Sequence, residues 1–348
     1  MKAAYIERYG GPEVLRYGDL PDPSAGPGEV VVDIFAASVN AADWKSRSGG
    51  YDGAKFPYVL GRDFSGVVSA VGAGADLRIG DDVFGVCEAG QEGAYAEKIT
   101  VKAAIVARKP EALSHVNAAA LALTGLTAMS ALEETLQLKA GETILIQGGA
   151  GGVAGFAIQL ARHIGARVIT TASAANHDYV RGLGADEIID YNARDFTQVV
   201  KSCDAVFDTV GGEVAQKSFA VLKPGGRAAF IASGAQAPKA PRTDVASLRP
   251  PVGRARLIEL RNAASGDQAL SPLAGRRCPS RQRGASFPGQ ARVPGSLSRR
   301  GARATTNLVA RIERERNAGT SWRLGSAPGF RAQARSIQAT QICRRQGG

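Results

Sequence analysis

The chain has 348 residues, enough for two domains that each bury a core of their own. Its formal net charge of +11 suggests a nucleic-acid partner, but residues 249–348 alone hold 20 arginines, no lysine and 4 acids, a net +16. Residues 1–248 hold the remaining 23 basic and 28 acidic residues, a net −5, so nucleic acid is not an expected partner of this part.

The four cysteines are widely spaced and form no C-x-x-C motif, which predicts neither a disulfide framework nor a zinc cluster and favours a reducing compartment. Residues 1–20 contain no basic segment followed by an apolar one, so we expect no secretory signal and a cytoplasmic location. The uncharged, alanine-rich run at 112–132 is of marginal length for a membrane span, and we interpret it as buried helix rather than as a membrane anchor.

The first 110 residues are predicted to form a compact, barrel-like β domain. Segments rich in β-forming residues alternate with turns rich in Gly, Pro and Asp, and little helix is expected between them. The predicted strands are 2–7, 29–39, 65–71, 82–86 and 94–101.

From about residue 113 the pattern changes to α/β. An alanine-rich helical stretch comes first, and strands then alternate with helices. Such alternation predicts a doubly wound parallel sheet with helices on both faces. The predicted strands are 143–146, 167–171, 187–190, 205–209 and 227–232, and the predicted helices include 176–183 and 213–222.

The most informative motif is Gln-Gly-Gly-Ala-Gly-Gly-Val-Ala-Gly at 147–155, which lies between a strand and a segment with helical apolar spacing. In this context a G-x-G-x-x-G/A match predicts a dinucleotide site. We expect Gly149 to allow the tight turn, Gly151 to let the backbone approach a pyrophosphate and Ala154 to permit close helix–strand packing. The free N–H groups and partial positive charge at the helix start then favour phosphate binding.

The strand tip after this motif favours NADP(H) over NAD(H). NAD sites typically hold the ribose 2′-hydroxyl with an acid about 20 residues past the glycines, and the tip here reads Thr-Thr-Ala-Ser. We therefore expect a 2′-phosphate to bind Ser173 and Asn176, with Arg181 or His177 nearby. His177 is equally well interpreted as a solvated residue at a helix start. Tyr191 either covers the adenosine ribose or is a plain surface tyrosine.

The chain beyond residue 252 departs from the α/β pattern. Leu, Ile, Val and Phe account for 16 of residues 249–348, and one residue in five is arginine, a composition typical of disorder. Only 305–317 has helical apolar spacing. Two interpretations stay open: a natural basic arm, or translation in the wrong frame past about residue 253. We favour the second, because lysine occurs 11 times before this point and never after it.

Ordered motifs run continuously from residue 1 to about 250. They are MKAAYIERYGGPEVL at the start, SVNAADWKSRSGGY at 38–51, YVLGRDFSGVVSAVG at 58–72, GAYAEK at 93–98, LTGLTAMSAL at 123–132, the glycine motif, SAANHDYVRGLGADEIIDY at 173–191 and LKPGGRAAFIASG at 222–234. In these motifs the chain resembles the medium-chain dehydrogenases/reductases of the quinone oxidoreductase (zeta-crystallin-like) branch.

The resemblance implies a GroES-like catalytic domain at 1–112 and a Rossmann NADP-binding domain at 113–252, with the active site in the cleft between them. Residues 253–348 are then an aberrant, arginine-rich tail without regular structure. The family is commonly dimeric, so a homodimer is expected. Some 80 further residues that the family normally carries after ASG are not recognisable, so unpaired sheet edges are expected here.

The same comparison argues against catalytic zinc. Asn40 stands where the zinc-dependent branch has its first cysteine, and Arg62-Asp63 stands where it has His-Glu. A tetrahedral zinc site needs three or four ligands, mostly thiolates or imidazoles, and the three histidines lie outside these motifs. We expect Asp43 and Arg62 to form a structural ion pair or cap rather than to act in catalysis.

Without a Lewis acid, reduction of a quinone or an enone is easier than alcohol oxidation, because hydride addition places charge on a conjugated oxygen. We expect NADPH to donate the hydride, and one well-placed donor to the developing oxyanion is typically worth on the order of 10²–10³ in rate. The resemblance places Asn40 and Thr127 at the nicotinamide end and Tyr51 over the cofactor. Alternatively, Asn40 forms a turn and Thr127 bonds back within its helix.

The resemblance also assigns backbone contacts to the cofactor. The pyrophosphate is expected at Ala150, Gly151, Gly152 and Val153, and the nicotinamide beside Val210, Ala232, Ser233 and Gly234. Three other possibilities stay open: a non-catalytic NADP(H)-binding sensor or structural protein, an inactive frameshifted product, and an interaction protein that binds through its basic tail.

Overall fold

The computed structural model describes residues 1–50, 54–88, 90–234 and 236–251. Tyr51, predicted at the cofactor, lies outside these residues, and so does the whole segment 252–348 with its predicted helix at 305–317. The two interpretations of the tail and the domain boundary at 252/253 therefore stay predictions.

The N-terminal part is a β-barrel-like domain made of two antiparallel sheets, as the turn spacing predicts. A five-stranded sheet has the order β7-β3-β5-β6-β8, and a smaller sheet has the order β2-β1-β4. One face of the larger sheet buries apolar residues such as Val32, Phe64 and Val83. The elements are β1 (Lys2–Ile6), β2 (Leu15–Asp19), β3 (Glu29–Ala37), α1 (Ala41–Arg47), β4 (Tyr58–Val59), β5 (Asp63–Val71), β6 (Asp82–Val86), β7 (Lys98–Lys102) and β8 (Val106–Arg108).

The alanine-rich run forms α2 (His115–Met129), which continues through a wider π-helical turn at Ser130–Thr135. This helix contacts β3, β5 and β6 of the barrel on one side and the first helix after the glycine motif on the other. His115–Thr135 is long and apolar enough to cross a membrane by composition, but 67% of its most apolar window is buried inside the protein. It therefore packs as a core helix between the N-terminal β-barrel-like domain and the α/β domain that follows it.

The remaining elements form the parallel sheet that the βα alternation predicts. Six parallel strands have the order β11-β10-β9-β12-β13-β14, which is the order of a Rossmann sheet. The order in which successive strands are added reverses between β9 and β12, although all the strands run in the same direction. Alternate residues of each strand pack into separate apolar clusters on the two faces. The elements are β9 (Thr143–Gln147), α3 (Gly152–Ile164), β10 (Arg167–Ala172), α4 (His177–Gly182), β11 (Glu187–Asp190), α5 (Phe196–Val199), β12 (Cys203–Asp208), α6 (Glu213–Ser218), β13 (Leu222–Phe230) and β14 (Ala246–Leu248).

Several elements differ from the sequence prediction, which did not include β2, β4, β8 or α5. Helix α1 was not predicted either, and it forms because Asn40 and Asp43 make a capping box at its start. The strand expected at 94–101 begins only at Lys98, because Gly93, Ala94 and Tyr95 bond to the backbone of Leu60 and Gly61 in another loop. The short strand β14 pairs in parallel with β13, which covers a sheet edge that was expected to be unpaired.

Candidate active site

The glycine motif forms a tight turn between β9 and α3 at the point where the strand order reverses. Gly148 has φ +76°, in the left-handed region that favours glycine, and the Gly151 amide donates to the Gly148 carbonyl at 2.9 Å, so Gly149 lies within the tight turn. Gly149 is needed for a different reason: a Cβ at this position would overlap Thr170 Oγ1 and lie 3.1 Å from Ile158 Cδ1. The backbone of the turn is therefore pressed directly onto the neighbouring strand.

Helix α3 begins immediately after this turn with its first N–H groups available. Gly151 precedes the helix in an extended conformation, and no side chain among the described residues caps it. The first-turn amides of a helix have no intrahelical partner, so those of Gly152, Val153 and Ala154 can bind an anion. Ala154 itself is fully buried, consistent with the close packing expected there.

Polar side chains at the ends of the buried strands hold the turn in place. Thr171 Oγ1 accepts a hydrogen bond from the Gly148 amide at 3.0 Å and donates to Gln147 Oε1 at 2.8 Å. The Thr171 carbonyl accepts from the Gly149 amide at 2.9 Å. The sequence prediction missed Gln147 and Thr171, although two polar residues at the carboxyl ends of apolar strands were a usable signal.

Asp208 organises the opposite side of the turn. It is fully buried at the end of β12, and its carboxylate accepts the amides of Val210 at 3.1 Å and Gly211 at 2.9 Å. Burial raises the pKa of Asp208, against the lowering effect of these two N–H groups. These two bonds hold Val210 close to Gly148. A Cβ added to Gly148 would lie only 3.0 Å from Val210 Cγ2. Asp208 was also missed by the sequence prediction.

The segment after β13 lies next to the same loop. A Cβ on Gly211 would lie 2.7 Å from the Ala232 carbonyl oxygen, so Ala232 lies beside the loop that contains Val210. Gly234 has φ +83° and ends the segment. Ser233 Oγ is buried and has no hydrogen-bond partner among the described residues. A buried hydroxyl without a partner at this edge is a candidate contact for a bound cofactor.

The tip of β10 carries no carboxylate of its own. Asn176 Nδ2 donates to Ser173 Oγ at 2.9 Å, so these two predicted 2′-phosphate ligands are neighbours. Arg181, in contrast, pairs with Asp178 at 2.7 Å on the exposed face of α4. Tyr191 follows β11 and is 40% exposed. The structure thus brings Ser173 and Asn176 together and leaves Arg181 engaged elsewhere.

On the barrel side, Asn40 lies between two buried carboxyl groups. Its backbone amide donates to Asp43 Oδ2 at 2.6 Å, and its side-chain Nδ2 donates to Asp63 Oδ1 at 2.9 Å and to Ser38 Oγ at 3.2 Å. Ser38 Oγ donates to the same Asp63 oxygen at 2.7 Å. Tyr95 Oη donates to Asp43 Oδ2 at 2.7 Å. Asn40 is therefore held rigidly by groups that sequence spacing alone did not place together.

Both carboxyl groups are almost completely removed from water. Burial raises the pKa of Asp63 to about 7, and the charge of Asp43 adds to the effect, while Ser38, Asn40 and the Leu123 amide lower it. Burial likewise raises the pKa of Asp43 to about 6, although the bonds from Asn40 and Tyr95 favour its charged form. We call these two residues the buried acid pair.

Arg62 and Asp43 each have a structural partner. Arg62 Nε binds Glu92 Oε1 at 2.9 Å in a buried ion pair, and Tyr58 Oη donates to the other Glu92 oxygen. Asp43 instead caps α1. Each residue thus has one of the two structural roles that were expected, an ion pair for Arg62 and a cap for Asp43.

Thr127 lies in α2 and makes the backward bond that was the alternative to a catalytic role. Its hydroxyl donates to the Leu123 carbonyl at 2.7 Å, so only its lone pairs are available to a ligand. The side-chain N–H groups of Asn40 are likewise engaged by Asp63 and Ser38. Neither residue therefore offers a free donor for an oxyanion in this arrangement.

No group of three or more His, Cys, Asp or Glu side chains is placed to hold a metal ion within 1–50, 54–88, 90–234 and 236–251. Where the zinc-dependent branch has its ligands, this chain has the Asn40 amide, which is already hydrogen-bonded to the carboxyl groups of Asp63 and Asp43. Whether the reaction proceeds without zinc stays a prediction.

Comparison with known proteins identifies the family. Residues 26–111 match the model of the alcohol dehydrogenase GroES-like domain, and residues 152–254 match that of the zinc-binding dehydrogenases. The quinone oxidoreductase of Pseudomonas aeruginosa is 36% identical over 233 residues, which cover 65% of this chain and 71% of that protein. The chain belongs to the medium-chain dehydrogenase/reductase family, in the branch of the quinone oxidoreductases.

Other members of this dehydrogenase/reductase family are similar to the chain in sequence and in structure. The NADPH-dependent alkenal/one oxidoreductase of Arabidopsis thaliana chloroplasts is 36% identical, covering 68% of this chain and 64% of that protein. The Escherichia coli quinone oxidoreductase structure complexed with NADPH is 28% identical with a TM-score of 0.69, covering 76% of this chain and 87% of that one. The chain matches slightly less than two-thirds of the length of the first curated relatives. The predicted fold and family are confirmed.

Proposed function

We propose that this chain reduces quinones or enones by hydride transfer from NADPH, without catalytic zinc. The observation that carries the proposal is the glycine turn with the uncapped start of α3, at the strand reversal where ligands of such sheets bind. The residues present fit the cofactor: a turn in which Gly149 has no room for a side chain, a free helix start, and the unpartnered hydroxyl of Ser233.

The chain's own residues would bind NADPH from one end of the sheet to the other. The amides of Gly152 and Val153 would donate to the pyrophosphate at the positive end of α3, beside the backbone of Ala150 and Gly151. Ser173 and Asn176 offer polar atoms to the 2′-phosphate, and the missing acid at the tip of β10 removes a source of repulsion. When bound, the cofactor supplies the hydride.

The nicotinamide end belongs between the two parts of the protein. Val210, Ala232, Ser233 and Gly234 border it from the sheet, while Asn40 and Thr127 face it from the barrel and from α2. The Thr127 lone pairs suit a donor such as the nicotinamide carboxamide, because its own hydrogen is bonded to Leu123. Tyr51 stays a predicted contact over the cofactor.

The donor set supports a metal-free reaction. Catalytic zinc takes three protein ligands, usually His, Cys or a carboxylate. Here Asn40 presents amide hydrogens toward Asp63, and Arg62 is bound to Glu92 where a histidine–glutamate pair would stand. A conjugated acceptor needs no Lewis acid, because its charge spreads onto an oxygen after hydride addition. This favours quinones and enones over alcohols.

The test is NADPH oxidation by the full-length protein, followed by absorbance with a small quinone and with a small enone, after dialysis against a chelator. We expect turnover with NADPH, slower turnover with NADH, and no effect of the chelator. NADPH binding without turnover of either acceptor would indicate a sensor or structural role instead. Absence of NADPH binding would refute the proposal altogether.

Three further expectations form part of this proposal. The protein is a homodimer, it acts in the cytoplasm, and its partners are small molecules rather than nucleic acid or membrane. Sedimentation, cell fractionation and salt-dependent nucleic-acid binding test them separately. Nucleic-acid binding that falls steeply with salt and vanishes when 253–348 is deleted would instead assign a function to the tail.

A further inference from the structure

The proposed reduction requires a proton as well as a hydride. Hydride addition to a quinone or an enone leaves an anion on oxygen or carbon, and the product forms only when that anion is protonated. The two residues expected at the nicotinamide are poor donors, because the Thr127 hydroxyl is bonded to Leu123 and the Asn40 amide hydrogens to Asp63 and Ser38. Another group, either water or a further side chain, must provide the proton.

Asp63 has the geometry of a carboxyl group that retains a proton. It is 0% exposed, and its Oδ1 accepts both Ser38 Oγ and Asn40 Nδ2. Its Oδ2 is buried, and no group in the part of the chain that the structure describes bonds to it with normal hydrogen-bond geometry, although the Leu123 amide favours the charged form. A charged oxygen in such a position is costly, whereas protonation converts the carboxylate into a neutral acid.

The neighbouring charges reinforce this tendency. Asp43, on α1, is also buried, and one of its oxygens likewise has no partner among the described residues. Tyr95 is hydrogen-bonded to Asp43, and the positive charge of Arg62 is balanced by its ion pair with Glu92. Because Asp43 and Asp63 are both buried and the charge of Arg62 is already balanced by Glu92, one of the two carboxyl groups is expected to retain a proton.

A route leads from Asp63 toward the protein surface through one side chain. Its two hydrogen-bond partners, Ser38 and Asn40, are both only half-buried, so both extend from the buried acid toward the protein surface. An amide does not relay protons, but a hydroxyl accepts one proton while it donates another. Ser38 Oγ, 2.7 Å from Asp63 Oδ1, is therefore the exit for the proton.

We propose that Asp63 holds the proton that completes the reduction and delivers it through the Ser38 hydroxyl. The inference rests on the proposed function. The hydride and its electron pair go from the cofactor to the acceptor, and the resulting anion takes the hydroxyl proton of Ser38. For this step the Ser38 hydrogen turns from Asp63 Oδ1 toward the anion, and Ser38 Oγ takes the proton carried by Asp63 Oδ1, whose O–H bond breaks. Water then reprotonates Asp63, so that one acceptor gains one hydride and one proton per cycle.

Three variants of the full-length protein separate this role from a merely structural one. Ser38→Ala removes the relay, Ser38→Thr keeps a hydroxyl, and Asp63→Asn keeps an acceptor for Asn40 but removes the proton. General acid catalysis typically contributes 10²–10⁴-fold, so we expect kcat to fall about 100-fold in Ser38→Ala and Asp63→Asn. NADPH affinity should stay unchanged, and Ser38→Thr should recover most of the rate. Ser69→Ala, another serine of the same domain, is the control.

The pH profile gives the second readout. Because Asp63 must be protonated, kcat of the wild type should fall as pH rises through about 7. This limb should disappear in Asp63→Asn, and a small weak acid added to the buffer should restore part of its rate. Wild-type kcat and an unchanged limb in Ser38→Ala and Asp63→Asn would overturn the proposal.

An infrared measurement keeps this inference separate from the reductase assignment. The difference spectrum between wild type and Asp63→Asn should contain a protonated-carboxyl C=O band that disappears as pH rises through about 7. Absence of the band would overturn the proton-holding role, whether or not any acceptor is reduced. Conversely, failure of every quinone and enone with the band present would refute the reductase assignment, and with it the delivery step.

Discussion

Replacing Gly149 with alanine tests how the phosphate-binding turn is built. The added methyl group would overlap Thr170 Oγ1 and lie 3.1 Å from Ile158 Cδ1, so strand and turn must separate. Overpacking of this kind typically costs about 1–3 kcal/mol of unfolding free energy. Displacement of the turn also costs phosphate hydrogen bonds, and the loss of one charge-assisted bond weakens NADPH binding on the order of tenfold.

The assay is a double-mutant cycle with Thr170→Ala, measured by chemical unfolding and by NADPH titration. Thr170→Ala alone loses a hydrogen bond to the Ile146 carbonyl, but in Gly149→Ala it also removes the clash. We therefore expect a favourable coupling energy of roughly 1–2 kcal/mol. Gly182→Ala is the matched control, because no described atom lies within 4 Å of its Cβ, and it should be neutral or slightly stabilising. Additive effects of Gly149→Ala and Thr170→Ala would refute this account of the turn.

Three other predictions follow from named contacts. The pKa of Asp63 rises from 3.8 to about 7 on folding, so its contribution to stability is present at low pH and is lost as pH rises. Urea unfolding at several pH values should show the unfolding free energy of the wild type falling by roughly 4 kcal/mol relative to that of Asp63→Asn between about pH 4 and pH 7. Plots of unfolding free energy against pH that stay parallel for the two proteins would contradict the pKa shift. Thr127→Val should lower kcat/KM about tenfold while Thr127→Ser does not, as expected for one lost hydrogen bond; equal rates would exclude a contact with the cofactor. Combined Ser173→Ala and Asn176→Ala should raise KM for NADPH and leave that for NADH unchanged, and an equal effect on both would contradict a role at the 2′-phosphate.

The sequence alone predicted the fold because local patterns determine it. Alternating strands and helices specified the parallel sheet, and the apolar run at 143–146 followed by glycines specified the turn. The tight turn was assigned to Gly149, and the structure shows that Gly148 is the left-handed residue of this turn while Gly149 is the one pressed against Thr170. A local sequence pattern therefore predicts the glycine motif, but it does not predict which glycine contacts the neighbouring strand.

The interior of the candidate site was less accessible to prediction. Asn40 was singled out both at the nicotinamide end and as a replacement for a zinc ligand, and Asp63 only as such a replacement. Their direct hydrogen bond depends on how β5 lies against the end of β3. Asp208 and Gln147 were missed for the same reason, since their roles follow from which strands are neighbours at the reversal point. Buried polar pairs between distant segments have no signature in a single sequence.

The central claim is that the turn at 148–154 holds NADPH so that its hydride reaches a conjugated acceptor without a metal. The most direct measurement is a single turnover of chelator-treated protein with NADPH deuterated at the transferring C4 position and an enone acceptor. The account predicts deuterium bound to carbon in the reduced product and a rate that added zinc does not increase. A product without the label, or activity that is lost with the chelator and restored by zinc, would contradict it.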